Sequence, residues 1–198
     1  MKDFRALAEP VAFFGLINSL VQTVLKICSP GVPDFYQGTE LTALTLVDPD
    51  NRRRVDFAAA ARQLDANERD GAASKLYVIR KLLQLRREDP ELFARGDYQP
   101  LQVDGARKEH VFAFARTYEG RSVIAIVPRW TAKLMDAATE LPLGAGVWSD
   151  TKTAVGSSTA ATKMTNVLTG REVAIDAGRG LVISEVFTEF PVAVLRSA

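Results

Sequence analysis

The hydrophobic period changes once along this chain, near Gly96. Before it, apolar residues recur at three- and four-residue steps: Val11, Phe14, Ile17, Val21 and Leu25, then Leu76, Ile79, Leu82, Leu83 and Leu85. That spacing is one face of an α-helix. After it come short β-rich runs, HVFAFART and SVIAIVPRW, separated by the turn signal YEGR. A chain patterned this way is α+β and divides near Arg95–Tyr98. The expected domains are a helical α/β unit over 1–95 and an all-β antiparallel sandwich over 96–198.

Within the first unit, Pro10 suits the first turn of a helix, where its missing N–H is no loss. The helix expected from Pro10 to Ile27 has a wide apolar stripe, since Leu16, Leu20 and Val24 extend it, and it stops at CSPG because Pro30 disfavours helix at Ser29. GVPDFY has the length of a buried strand, and in an α/β unit the loop after such a strand commonly carries the site. Asp56 is placed to cap a helix running to about Asn67. A second helix, capped by Ser74, ends before Pro90, with Lys75, Arg80, Lys81, Arg86 and Arg87 on a face expected to be solvated. In the second unit GVWSD, MTNVLTG, REVAI, GLVIS and PVAVLRS are further strand candidates, and GSSTAAT is a flexible excursion.

Composition narrows the function classes. Hydrophobic content of 47% and charged content of 25% are ordinary for a globular protein. A net charge of +1 gives no reason to expect nucleic acid or an anionic membrane as partner. One cysteine, Cys28, excludes an internal disulfide, and one histidine, His110, excludes His-rich zinc sites. No metal and no cofactor are expected. The uncharged run Pro10–Leu25 is shorter than the ~20 residues a bilayer needs and contains Asn18, Ser19 and Gln22. It is read as a buried helix, and without a secretory pattern at MKDFRALAEP the expected location is cytoplasmic.

Polar chemistry concentrates in SPGVPDFYQGTELTALTLVDPDNRRRVDF, residues 29–57. Asp34, Glu40, Asp48, Asp50 and Asp56 are its carboxylates, accompanied by Tyr36, Gln37, Asn51, Arg52 and Arg53. Paired carboxylates serve acid–base chemistry or hold a hard cation. Asp48–Asn51 resembles half a calcium loop but lacks the required Gly and terminal Glu. Amides, carboxylates, arginines and an aromatic face also suit sugar hydroxyls and rings. The alternative is a set of Asp–Pro–Asp–Asn turns whose charges the arginines neutralise.

Residue order adds to this. SPGVPDFYQGTE resembles the Gly-x-Pro-x-x-Tyr-Tyr-Gly-x-Glu segment at the eighth strand of the alpha-amylase superfamily barrel: Gly31, Pro33, Tyr36, Gly38 and Glu40 match, and Gln37 replaces the second Tyr. The continuation LTLVDPDNRRRVDF is similar to the maltooligosyltrehalose synthase family, in which Val-Asp-Pro-Asp-Asn-Arg-Arg-Pro-Val-Asp is typical; Arg54 stands in place of that Pro. KLYVIRKLLQLRREDPELFARGDYQPL, HVFAFAR and FPVAVL resemble the same family's distal portion.

The resemblance implies the end piece of a (β/α)8 barrel followed by the β-sandwich. It also implies a maltooligosaccharide substrate, whose reducing-end α-1,4 bond becomes an α,α-1,1 bond by intramolecular transglucosylation. Such retaining chemistry uses a carboxylate nucleophile and a carboxylic acid about 5–5.5 Å apart. In the superfamily these come from the fourth and fifth barrel strands, with a third aspartate after a histidine at the seventh. The sequence begins just before the segment matching the eighth strand, and His110 is followed by Val111. The expectation is therefore a C-terminal fragment with no catalytic residue, inert alone. The competing class is a non-catalytic α-glucan-binding module.

The substrate-binding candidates are Asp34, Tyr36, Gln37, Glu40, Asp48, Asp50, Asn51, Arg52 and Arg53. Tyr36 either stacks on a glucose ring or belongs to the core. Asp34 and Glu40 either touch sugar or brace neighbours, and the Asp48–Arg53 group either binds hydroxyls or forms an internal ion-pair lattice. Trp130 and Trp148 are read as core rather than as a carbohydrate platform, and His110 and Cys28 as structural. Phe13, Phe14 and Val21 on the first helix should be partly uncovered without barrel neighbours, which points to self-association through that helix.

Overall fold

The first helix, α1, spans Lys2–Cys28 and contains Pro10 in its interior rather than in its first turn. It begins eight residues before the expected start, on a segment whose side chains at positions 3 to 7 are exposed. Its C-terminal half is the buried half: Ile17, Leu20, Val24 and Ile27, at three- and four-residue steps, are almost solvent-free. By length and composition α1 passes for a membrane span, but that buried half belongs to a protein core. The computed structural model describes residues 2–42, 52, 54–66, 73–155, 162–176 and 180–197.

Three helices follow: α2 (Phe57–Ala66), α3 (Ala73–Glu88) and α4 (Pro90–Arg95). Asp56 caps α2 by accepting from the Ala59 amide at 2.8 Å, as its position predicted. Ser74 lies inside the first turn of α3 rather than ahead of it. Asp89 caps α4, with Pro90 at the first helical position. No strand forms over GVPDFY. Residues 32–36 are irregular and join neither sheet. A strand needs a neighbour for its backbone hydrogen bonds, and among the described residues none lies beside this one.

Strands begin at Asp97, where the period changes. A six-stranded sheet has the order β1-β3-β4-β9-β6-β7 and a three-stranded sheet the order β2-β5-β8, every pair antiparallel. The strands are β1 (Asp97–Pro100), β2 (Val103–Asp104), β3 (Val111–Tyr118), β4 (Arg121–Pro128), β5 (Lys152–Thr153), β6 (Lys163–Asn166), β7 (Glu172–Ala174), β8 (Leu181–Val182) and β9 (Ala193–Arg196). The β3–β4 hairpin turns on Glu119 and Gly120, with φ of 48° and 79°. Two positive φ values in a two-residue loop match the twist of the flanking strands.

The central strands are buried on both faces, one reason they read as nearly continuous apolar runs. Phe114, Val123, Ala125, Val127 and Val194 meet α1, α3 and α4, including Val24, Val78, Leu82 and Phe93. Their alternates Ala113, Ala115, Ile124, Ile126 and Leu195 meet Val103, Trp148, Leu181, Ile183 and Phe187 on the other side. The sheet thus lies between a helical layer and a second layer built on the small sheet.

Two strand expectations are corrected. The first three residues of GVWSD end the short helix α6 (Gly144–Trp148), and GLVIS supplies β8 and then α7 (Ile183–Val186). Trp148 decides the first case: its ring is fully buried 5.3 Å from Phe187, and its Nε1–H donates to the Pro142 carbonyl at 2.7 Å. Trp130, also read as core, is instead half exposed and left-handed at φ 54°, ahead of the short helix α5 (Thr131–Leu134).

Candidate functional site

The loop after α1 is held through its backbone. Pro30 ends the helix, and Gly31 turns the chain with a φ of 110° that favours glycine. Arg86 of α3 then clamps the junction, donating to the Ile27 carbonyl at 2.7 Å and the Gly31 carbonyl at 2.8 Å. Lys26 donates to the Asp34 carbonyl at 2.9 Å while its ammonium lies 3.9 Å over the Phe35 ring. Lys75, at the other end of α3, reaches the Leu41 carbonyl at 3.4 Å. Burial, with Lys26 nearby, holds the Lys75 ammonium below its ordinary pKa, and Glu40 acts against that. The loop therefore runs back along α3, from its C-terminal end to its N-terminal end.

At the tip the chain makes a tight turn. The Thr39 amide and hydroxyl both donate to the Tyr36 carbonyl, at 3.0 and 2.6 Å. Gly38 has φ 83°, and a Cβ there would stand 2.8 Å from a Val55 methyl. The predicted residues occupy different surroundings. Asp34, Tyr36 and Gln37 are exposed, Tyr36 by 55%, while Glu40 is half-buried beside Lys75. Among the described residues the Asp34 carboxylate has no ion pair. Arg52 is exposed. Asp48, Asp50, Asn51 and Arg53 lie outside the described residues.

The residues that order this loop are ones sequence reasoning passed over. Lys75 and Arg86, assigned to a solvated face, both point at it; they are eleven positions apart, about three helical turns, and so share a face. Arg116 was missed entirely. Buried in β3, it donates to the carbonyls of Cys28, Leu92, Phe93, Gly96 and Asp97 at 2.9 to 3.5 Å. Burial first, and then Arg86, lowers its pKa. The available signal was an arginine on the period-two face that Phe112 and Phe114 occupy in HVFAFAR. Two guanidiniums thereby satisfy the carbonyls that α1 leaves open at its end.

Chemically, the arrangement is a rigid backbone arc presenting a carboxylate, a phenol and an amide to solvent. It can donate to and accept from hydroxyls and offer one aromatic face. Among the described residues it contains no nucleophile–base pair.

No family model matches the chain. It is 40% identical over 144 residues to proteins of two Mycobacterium tuberculosis strains that carry the name maltooligosyl trehalose synthase, a match covering 71% of this chain and 18% of theirs. The structure of maltooligosyltrehalose synthase from Arthrobacter ramosus superposes with a TM-score of 0.79 at 36% identity, over 98% of this chain and 24% of that one. An Anoxybacillus α-amylase structure shares the fold at a TM-score of 0.54 and 20% identity, over 91% of this chain and 32% of that one. The chain thus spans about a fifth of the length of the curated relatives it matches.

Proposed function

On the premise that this chain is related in sequence and fold to one part of maltooligosyl trehalose synthase, we propose that its 29–57 loop forms one wall of a maltooligosaccharide cleft. The complete enzyme converts the reducing-end α-1,4 bond of its substrate to an α,α-1,1 bond by intramolecular transglucosylation. No catalytic residue is assigned to this chain; the carboxylate pair that breaks and remakes the bond belongs to other parts of such an enzyme. The observation that carries the reading is the backbone-anchored arc from Gly31 to Leu41, which leaves Asp34, Tyr36 and Gln37 facing solvent. An arc ordered in advance does not charge its ordering against substrate binding.

Residues 1–95 are, on this reading, the last units of a (β/α)8 barrel, and 96–198 a C-terminal β-sandwich. Supporting this, residues 32–36 have no strand partner among the described residues and Phe4, Leu7 and Val11 of α1 are exposed, as expected where barrel neighbours are missing. On the same reading the complete enzyme works in the cytoplasm.

The test uses the whole protein. Asp34→Asn and Tyr36→Ala should each lower kcat/KM for trehalose-end formation from maltopentaose by about tenfold, or about 1.4 kcal/mol. This chain alone should form no non-reducing product. Wild-type rates in both variants, or product from the chain alone, would refute the proposal.

A further inference from the structure

A groove beside the C-terminal end of α3 has the chemistry of a second ligand site. It lies between the C-terminal part of α3 and the β4–β9–β6 region of the large sheet, and comprises two adjoining cavities of about 190 and 290 Å³ that share Leu85, Glu88 and Arg196. Arg86, which holds Gly31 of the 29–57 loop, is only two residues from Glu88, but two residues are about 200° of helical rotation. The groove, lined from α3 by Lys81, Gln84, Leu85 and Glu88 and not by Arg86, therefore opens on another side of α3 from the loop.

Its polar groups alternate in sign. The Glu88 carboxylate accepts from Arg196 at 2.8 Å through one oxygen and from Gln84 at 3.1 Å through the other. Next to it, the Asp89 carboxylate pairs with Arg121 and also accepts from the Leu92 amide at 3.3 Å. Lys81, Thr165 and Asn166 line the far cavity; Val167 is its half-buried apolar residue, and Leu85, Leu92 and Val123 are core residues at the groove's floor. Each carboxylate is thus fixed beside a guanidinium that keeps N–H groups beyond those already used.

This pattern discriminates by charge. An anion entering the groove is repelled by Glu88 and Asp89, and a cation by Arg121 and Arg196, so either meets a like charge. A neutral polyol does not. One hydroxyl of a vicinal diol donates to the carboxylate while the next accepts from the guanidinium, and a C–H edge of the ring meets the half-buried Val167. The larger cavity is near the lower end of the usual range for ligand sites, about 300 Å³, which suits one or two sugar rings.

We propose that the α3–sheet groove is a binding site for a neutral oligosaccharide end, with Glu88 and Arg196 as its central acceptor–donor pair. Neither the 29–57 loop nor catalysis is required for it. The experiment is heteronuclear NMR titration of this chain with maltotriose, with inorganic phosphate as the anionic control, on wild type, Glu88→Gln, Arg196→Gln and Tyr36→Ala. Glu88 and Arg196 are half-exposed, so both groove variants should fold, and their unshifted amide spectra verify it. Saturable shifts at Gln84, Leu85, Asn166 and Val167, weakened about tenfold in either groove variant and retained in Tyr36→Ala, are expected. No saturable shift at millimolar maltotriose overturns the proposal, as does phosphate competition or equal affinity in the groove variants. Loss of the groove shifts in Tyr36→Ala overturns it too, by tying binding to the loop. Failure at the groove leaves the loop reading to its own kinetic test.

Discussion

Arg116 is a buried cation with five carbonyl acceptors; among the described residues it has no direct ion pair, and the nearby Asp97 carboxylate offsets its charge only in part. Its desolvation is a cost, and its return is the closure of helix ends that would otherwise hold unsatisfied carbonyls. Arg116→Met keeps much of the stem and removes the head. Stability should fall by about 3 kcal/mol, read as a lower denaturant midpoint at constant slope; an unchanged midpoint would mean that desolvation cancels the bonds. Cys28, at the same junction, gives a pH signature. Burial pushes its thiol from an ordinary 9.0 up to about 12. The unfolded chain releases that proton near 9 and the folded one near 12, so the folded state holds more protons in between and stability falls across that window as pH rises. Below 9 the contribution is complete. Cys28→Ala should reduce the stability lost between pH 8 and 10 by on the order of 1 kcal/mol. An identical loss in both proteins would place the alkaline sensitivity elsewhere.

At the scale of elements, the glycine turns separate two costs. Gly120 has φ 79° with open space where a Cβ would be, whereas Gly38 combines φ 83° with the Val55 methyl 2.8 Å away. Gly120→Ala should cost the left-handed conformation alone, about 1–2 kcal/mol. Gly38→Ala should cost more, because Val55 is β-branched and stiff at χ1. Thermal melts of the pair check the order, and equal losses would mean that Val55 gives way freely. Some of these elements were legible in the sequence. The YEGR turn was, because a two-residue loop between apolar runs is a local signal. So were β3, β4, β6, β7 and β9, and the Asp56 cap. GVPDFY was misread because a strand requires a partner, which its own residues do not specify. GVWSD was misread because burying Trp148 against Phe187, with a bond for its indole N–H, outweighed local propensity. The loop's polar composition was legible in the sequence, but the anchoring roles of Lys26, Lys75, Arg86 and Arg116 were not, since their partners are backbone carbonyls that carry no sequence mark.

At the scale of the molecule, α1 has two characters. Its second half is core, while Phe4, Leu7 and Val11 are 73, 68 and 63% exposed. Apolar surface of this kind favours association. Sedimentation of this chain at rising concentration should show dimers or larger species, and Leu7→Gln with Val11→Gln should shift them toward monomer. A monomer at every concentration would refute this. The sheet order carries a different consequence. β9 lies between β4 and β6 and bonds to both, yet within this sequence it is translated after every strand of its sheet. During synthesis the β1-β3-β4 and β6-β7 pieces must therefore wait unjoined, each with an open backbone edge of the kind that recruits foreign strands. A ribosome that stalls before Val192 would release two half-sheets with nothing between them, a substrate for chaperones and proteases.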